Sequence, residues 1–251
     1  WLRRMHTFKS TMVKAAPSEP VRYALLMSLV AGADVAKGRW VVVVLENGRF
    51  KNALIEKTIA DVLDAVDDVS VLAVDIPIGL PRGKGHRQCD IEAKALLKKK
   101  APAVFFAPPH RVIIEPIYER ANLLSKTEYR RRISRQAYGL RAKILEVAPF
   151  ANGDDRIIEV HPEVSFHTMK GASLTFSKKT WNGQMERRSL LEAQGIEIPG
   201  RLDPAGSVPP DDLLDAAAAA WTAMRVSRGE AEVLPKSATG CGSDRRRVIW
   251  I

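Results

Sequence analysis

The sequence predicts an α/β domain: a mixed five-stranded sheet flanked by helices, with a helical insertion between the fourth and fifth strands. Three observations lead there. Three short β-runs follow one another, the last two joined by the Asn-Gly turn of Glu46-Asn47-Gly48-Arg49. A helical pattern then leads into Val71-Leu72-Ala73-Val74, apolar enough to be buried on both faces. Acidic residues recur at the ends of these runs, where a carboxylate is costly unless paired or bound to a cation.

Leu29 to Val35 is the first strand, Trp40 to Leu45 the second and Phe50 to Ile55 the third. Ile59, Val62, Leu63 and Val66 have helical spacing behind Thr58, a suitable N-cap. Val71 to Ile76 then returns beside the first strand. Residues 82–150 interrupt the alternation with helices around Cys89 to Lys98, Ile117 to Ser125 and Arg135 to Val147, so they read as an insertion. Arg156 to Val160 is the fifth strand, followed by helices near Pro162 to Met169, Thr180 to Gln194 and Asp211 to Ser227.

The domain is expected to span residues 27–251. Residues 1–26 are basic, weakly periodic and broken by Pro17 and Pro20, and read as an extension outside the fold. No apolar run approaches the ~20 residues of a membrane span. Two cysteines, Cys89 and Cys241, stand in unlike contexts, which indicates neither a disulfide framework nor a zinc site and fits a reducing cytoplasm.

The net charge is +10, and residues 82–143 alone hold 16 Lys or Arg against 5 Asp or Glu. Such clustering suits a polyanion, here nucleic acid, DNA or RNA, although a solvated cationic face has the same composition. Aromatics are only 6% and not interleaved with the basic residues, which disfavours a stacking platform for single strands. Gly79-Leu80-Pro81-Arg82-Gly83-Lys84-Gly85 lacks the spacing of a phosphate-binding loop, and no nucleophile elbow is present.

Asp34, Asp75, Glu159 and Asp215 are the expected metal ligands, since several carboxylates at one sheet edge repel one another and need a counter-ion. Oxygen donors suit Mg²⁺ or Mn²⁺. Each alone could equally cap a helix or pair with an arginine. Asp212 and Asp215 lie three apart on one helix and can face one site, although Asp211, after Pro209-Pro210, reads as the N-cap and would make Asp212 a partner of the helix dipole. His161 suits proton transfer or a structural role, and Glu163 is explained as an acid in a first helical turn. Lys178, Lys179, Arg135 and Lys143 are the candidate phosphate contacts.

The chain resembles the ribonuclease H-like superfamily and, within it, the uncharacterised family of predicted RNase H-like nucleases (domain of unknown function 429). The resemblance is carried by Gly32-Ala33-Asp34 with Gly38-Arg39-Trp40, Asp75-Ile76-Pro77-Ile78-Gly79-Leu80-Pro81, Phe105-Phe106-Ala107-Pro108-Pro109, Ser134-Arg135-Gln136-Ala137-Tyr138, Glu159-Val160-His161-Pro162-Glu163-Val164-Ser165-Phe166, Ser177-Lys178-Lys179-Thr180 and Asp212-Leu213-Leu214-Asp215-Ala216. It implies the RNase H-like architecture and a metal-dependent nuclease hydrolysing phosphodiester bonds. Small-nucleotide phosphohydrolase or phosphotransferase chemistry and a catalytically inactive nucleic-acid binder are the alternatives.

Overall fold

The computed structural model describes residues 28–237 and 247–251; the expectation for residues 1–26 and the context of Cys241 lie outside them. Five strands form one sheet in the order β3-β2-β1-β4-β5: β1 (Leu29–Ala36), β2 (Arg39–Glu46), β3 (Arg49–Glu56), β4 (Val71–Val74) and β5 (Ile157–Glu159). β1 to β3 are an antiparallel meander, while β4 runs parallel to β1 and β5 parallel to β4. The architecture is consistent with the expected RNase H-like fold. Asn47 and Gly48, with φ of 54° and 83°, make the turn of the second hairpin. Between β3 and β4, helix α1 (Ile59–Ala65) starts at Thr58, whose hydroxyl accepts from Asp61 N–H while the Asp61 carboxylate accepts from Thr58 N–H.

Each sheet face has its own core. Val30, Val41, Val43, Val71, Ala73 and Ile158 pack under helices α7 (Pro162–Lys170), α8 (Trp181–Ala193) and α9 (Pro210–Ser227). Ala31, Ala33, Val42, Leu72, Val74 and Ile157 pack under α1 and the helices connecting β4 to β5. Those that pack here are α3 (His110–Ile113), α4 (Tyr118–Tyr129), α5 (Arg135–Gly139) and α6 (Arg141–Gly153), whereas α2 (Gln88–Leu97) packs in a separate cluster with Val164 of α7, Leu234 and Ile249. Burial of both faces is why β2 and β4 read as unbroken apolar runs rather than alternating ones.

Helix α9 lies against β1 with backbone touching backbone. A Cβ on Gly32 would stand 2.0 Å from Ala220 N and 2.3 Å from Ala216 O, so only glycine fits under this helix. Ala216 to Ala220 are all fully buried, which supplies the flat side that the contact needs. Two further strands, β6 (Val233–Leu234) and β7 (Ile249–Trp250), pair with each other, and Trp250 bridges in parallel to Val160 beyond β5. This strand pairing is invisible in the sequence because each strand is two residues long.

Candidate active site

The polypeptide brings its acids together at the carboxyl end of β1 and β4, under α9. Val30 and Gly32 face α9 from β1, and alternation carries Asp34 to the same side; Val71 and Ala73 do the same for Asp75. The close approach permitted by Gly32 then sets Asp215, one turn into α9, above both. These residues, with His161, Glu163, Asp212, Lys178 and Lys179, line a cavity of 630 Å³.

The cavity is electrostatically crowded. Burial, then the neighbouring Asp75 and Asp215, hold the Asp34 carboxyl well above its ordinary range. Asp75 is raised by burial and by Glu163, against the opposing pull of His161 and Lys178. Burial, reinforced by Asp75 and Glu163, pushes Asp215 up to about 6 even though Lys178 opposes the shift. Lys178 Nζ stands 2.5 Å from Asp215 Oδ2 and 3.7 Å from Asp211 Oδ2, and Lys179 Nζ stands 2.5 Å from Asp211 Oδ2. Burial works against the Lys178 ammonium, but Asp215, Asp34 and Asp75 outweigh it and raise its affinity for the proton.

Three polar atoms of this group are buried without a hydrogen-bond partner: Asp215 Oδ1, Glu163 Oε2 and His161 Nδ1. Burying them unpaired is unfavourable, so each calls for a partner beyond the described side chains, water included. An all-oxygen set with Asp34, Asp75, Asp215 and Glu163 suits a hard divalent cation. As the side chains stand, no three His, Cys, Asp or Glu among the described residues are grouped closely enough to hold an ion. Lys178 provides positive charge in their midst.

Several expected site residues are placed differently. Glu159 pairs across the sheet with Val74, and Val74 with Ala33, so it faces the opposite layer from Asp34 and Asp75. Its carboxylate accepts from Arg87 Nη1 at 2.7 Å, Arg87 Nη2 at 2.6 Å and Ile78 N at 2.5 Å. Arg87 also pairs with Asp90, Nη2 to Oδ1 at 2.5 Å. Through Arg87, Glu159 clips the insertion to β5, and it is not among the cavity-lining acids. Lys143 is buried, donating to Lys57 O and Glu146 Oε2 with its ammonium 5.2 Å from the Trp40 ring centre, so it has no access to a phosphate. Arg135 is exposed, lying over Tyr118 and 3.9 Å from Glu119, outside the cavity lining.

The N-cap of α9 is Pro209 rather than Asp211, which is buried in the first turn and paired with both lysines; Asp212 stands at the third helical position, half-buried and raised by burial and by Asp211. Glu163 is in the first turn of α7, as expected, but buried and bonded to the fully buried Arg187, whose guanidinium also donates to Gly183 O. In the sequence Glu163 lies two residues beyond His161, at the start of α7 and not directly at the end of β5.

The chain belongs to the family described as protein of unknown function (DUF429), whose model matches residues 32–240. No curated protein and no solved structure matches it.

Proposed function

We propose that this member of the DUF429 family is a nuclease that hydrolyses phosphodiester bonds of nucleic acid with the help of Mg²⁺ or Mn²⁺. The observation that carries the reading is the convergence of Asp34, Asp75, Asp215 and Glu163 on one cavity beside Lys178, two of the four with an oxygen unpartnered among the described residues. Asp34, Asp75, Asp215 and Glu163 would hold the cation. When bound, it would supply an activated water and charge neutralisation at the phosphate.

The remaining chemistry belongs to the chain. Arg187, packed under Glu163, fixes that carboxylate so that Oε2 points away from the ion pair. Lys178, released from Asp215, and Lys179 on the same loop offer ammonium groups to the non-bridging oxygens of the scissile phosphate. His161, at the N-cap of α7 with Nδ1 unpartnered, stands where it can give a proton to the leaving oxygen. Asp212, half-buried, adds negative charge beside Asp211, which with Asp215 holds the two lysines.

The test is hydrolysis of single- and double-stranded DNA and RNA by the purified chain with Mg²⁺, with Mn²⁺ and with a chelator. Metal-dependent cleavage lost in Asp75→Asn supports the reading, and cleavage of mononucleotides in preference to polymers would turn it into a small-nucleotide phosphohydrolase. Absence of turnover on all of them would leave a binding protein.

A further inference from the structure

A second cavity, of 390 Å³, adjoins the acidic one: Phe105 and Gln136 line both. Its electrostatic character is the reverse. Among the described residues no Asp or Glu lines it, whereas Lys94, Arg131 and Arg132 do. Among the described residues none of these three cations forms an ion pair with an acid.

The cations are held in place by neutral partners. The Arg131 guanidinium donates to Lys84 O at 3.2 Å and Gly85 O at 3.3 Å, and its Nη1 is 2.8 Å from His86 Nδ1. His86 stacks on Phe106 with ring centres 3.6 Å apart, while Lys94 lies over the same ring at 5.0 Å and donates to Ala101 O and Val104 O. Arg132 is exposed at the mouth. Burial, then Arg131, holds His86 below its ordinary range, so this imidazole is neutral and adds no competing charge. A preset guanidinium lacking a counter-anion is suited to an oxyanion, which it can meet with directed, charge-assisted hydrogen bonds.

We propose that this cavity is a phosphate subsite, holding a phosphate of the nucleic-acid strand beside the one presented to the acidic cavity. The identity of the ligand rests on the nuclease reading, whereas the preference for a phosphate rests on the cavity alone. Adjacent cavities of opposite sign give the strand its register: a cation and scissile phosphate in one, a neighbouring phosphate on Arg131 and Arg132 in the other. The phosphate is either an internal diester or a terminal monoester.

The experiment measures binding without turnover. Fluorescence anisotropy with short single-stranded oligonucleotides, in chelator, is compared for wild type, Arg132→Ala and Arg131→Gln, with and without a terminal phosphate. Loss of one charge-assisted contact should weaken binding about tenfold and reduce the log–log salt slope by about 0.7. Arg132 is exposed, so Arg132→Ala keeps the test sound if Arg131→Gln misfolds. In parallel, the His86 ring resonances of the wild type should shift on adding oligonucleotide.

A larger loss for terminally phosphorylated strands assigns a monoester, and equal losses assign a diester. Unchanged affinity in Arg132→Ala with unmoved His86 resonances overturns the subsite, even if Asp75→Asn has abolished cleavage. Weakened binding in Arg132→Ala alongside absent cleavage by wild type leaves the subsite standing and removes the nuclease reading. A wild type that binds no oligonucleotide overturns both.

Discussion

Lys178 Nζ lies 2.5 Å from Asp215 Oδ2, inside a group of buried carboxylates, so an internal ammonium does the neutralising in the ion-free protein. Removing it as Lys178→Met leaves those charges opposed only by one another. We expect metal-free stability to fall by about 1–2 kcal/mol, a figure reduced for the side chain's partial exposure to solvent. Added Mg²⁺ or Mn²⁺ should then raise the melting temperature more in the variant than in wild type, because the competing ammonium is gone. Equal metal-induced shifts in a calorimetric comparison would show that Lys178 and the cation do not compete.

Asp75→Asn removes one of the carboxylates while keeping its shape. Metal-dependent hydrolysis should drop more than about 100-fold, since even residues that merely support metal ligands account for about 10–100-fold. Metal-free stability should rise, as burial and Glu163 both disfavour the Asp75 charge. Wild-type turnover by the purified variant would remove Asp75 from the chemistry.

The pH dependence has a definite sign. The folded Asp215 carboxyl sits at about 6 against an ordinary 3.8, so between those values the folded chain binds more protons than the unfolded one. The Asp215 contribution to stability without metal should therefore fall as pH rises from about 4 to about 6, by a total on the order of 3 kcal/mol. Thermal melts across that range in chelator check it, and saturating Mg²⁺ or Mn²⁺, which favours the ionised carboxylate, should flatten that decline.

Glu159→Gln separates structure from chemistry. It breaks the buried pair with Arg87 and should cost about 3–5 kcal/mol, read as a lower denaturation midpoint. Metal affinity of the remaining folded protein should match wild type, because Glu159 faces away from Asp34 and Asp75. A metal dissociation constant raised tenfold in titration calorimetry would return Glu159 to the site.

Gly32→Ala places a methyl 2.0 Å from Ala220 N, so α9 must move away from β1. Stability should fall by about 3 kcal/mol, and metal affinity should fall with it because Asp215 rides on that helix. Unchanged values of both would mean that the helix contact is softer than its backbone geometry implies.

The first three strands, the return of the fourth beside the first, the Asn47-Gly48 turn and the Thr58 cap were legible because each follows from a short pattern with one physical reading. Asp34, Asp75 and Asp215 were legible as strand-end and helix acids that the fold draws into one cavity. Glu159 was not, for a specific reason. In a strand buried on both faces the apolar run conceals which residues point which way, and one step of parity sends a carboxylate to Arg87 instead of to Asp75. Lys143 was misjudged likewise: its charge suggested solvent, yet α6 turns it inward against Trp40 and Glu146. Glu163 and its partner Arg187 are 24 residues apart, so their pairing exists only in three dimensions.

The contact between Gly32 and Ala220 has a consequence for how freely this chain can vary. Where two main chains meet, no side chain between them can grow or shrink to change their separation. The span from Asp34 to Asp215 is therefore set at this point by the two main chains, and any side chain at position 32 could only widen it. A residue that bears no functional group thus fixes the spacing of two that do.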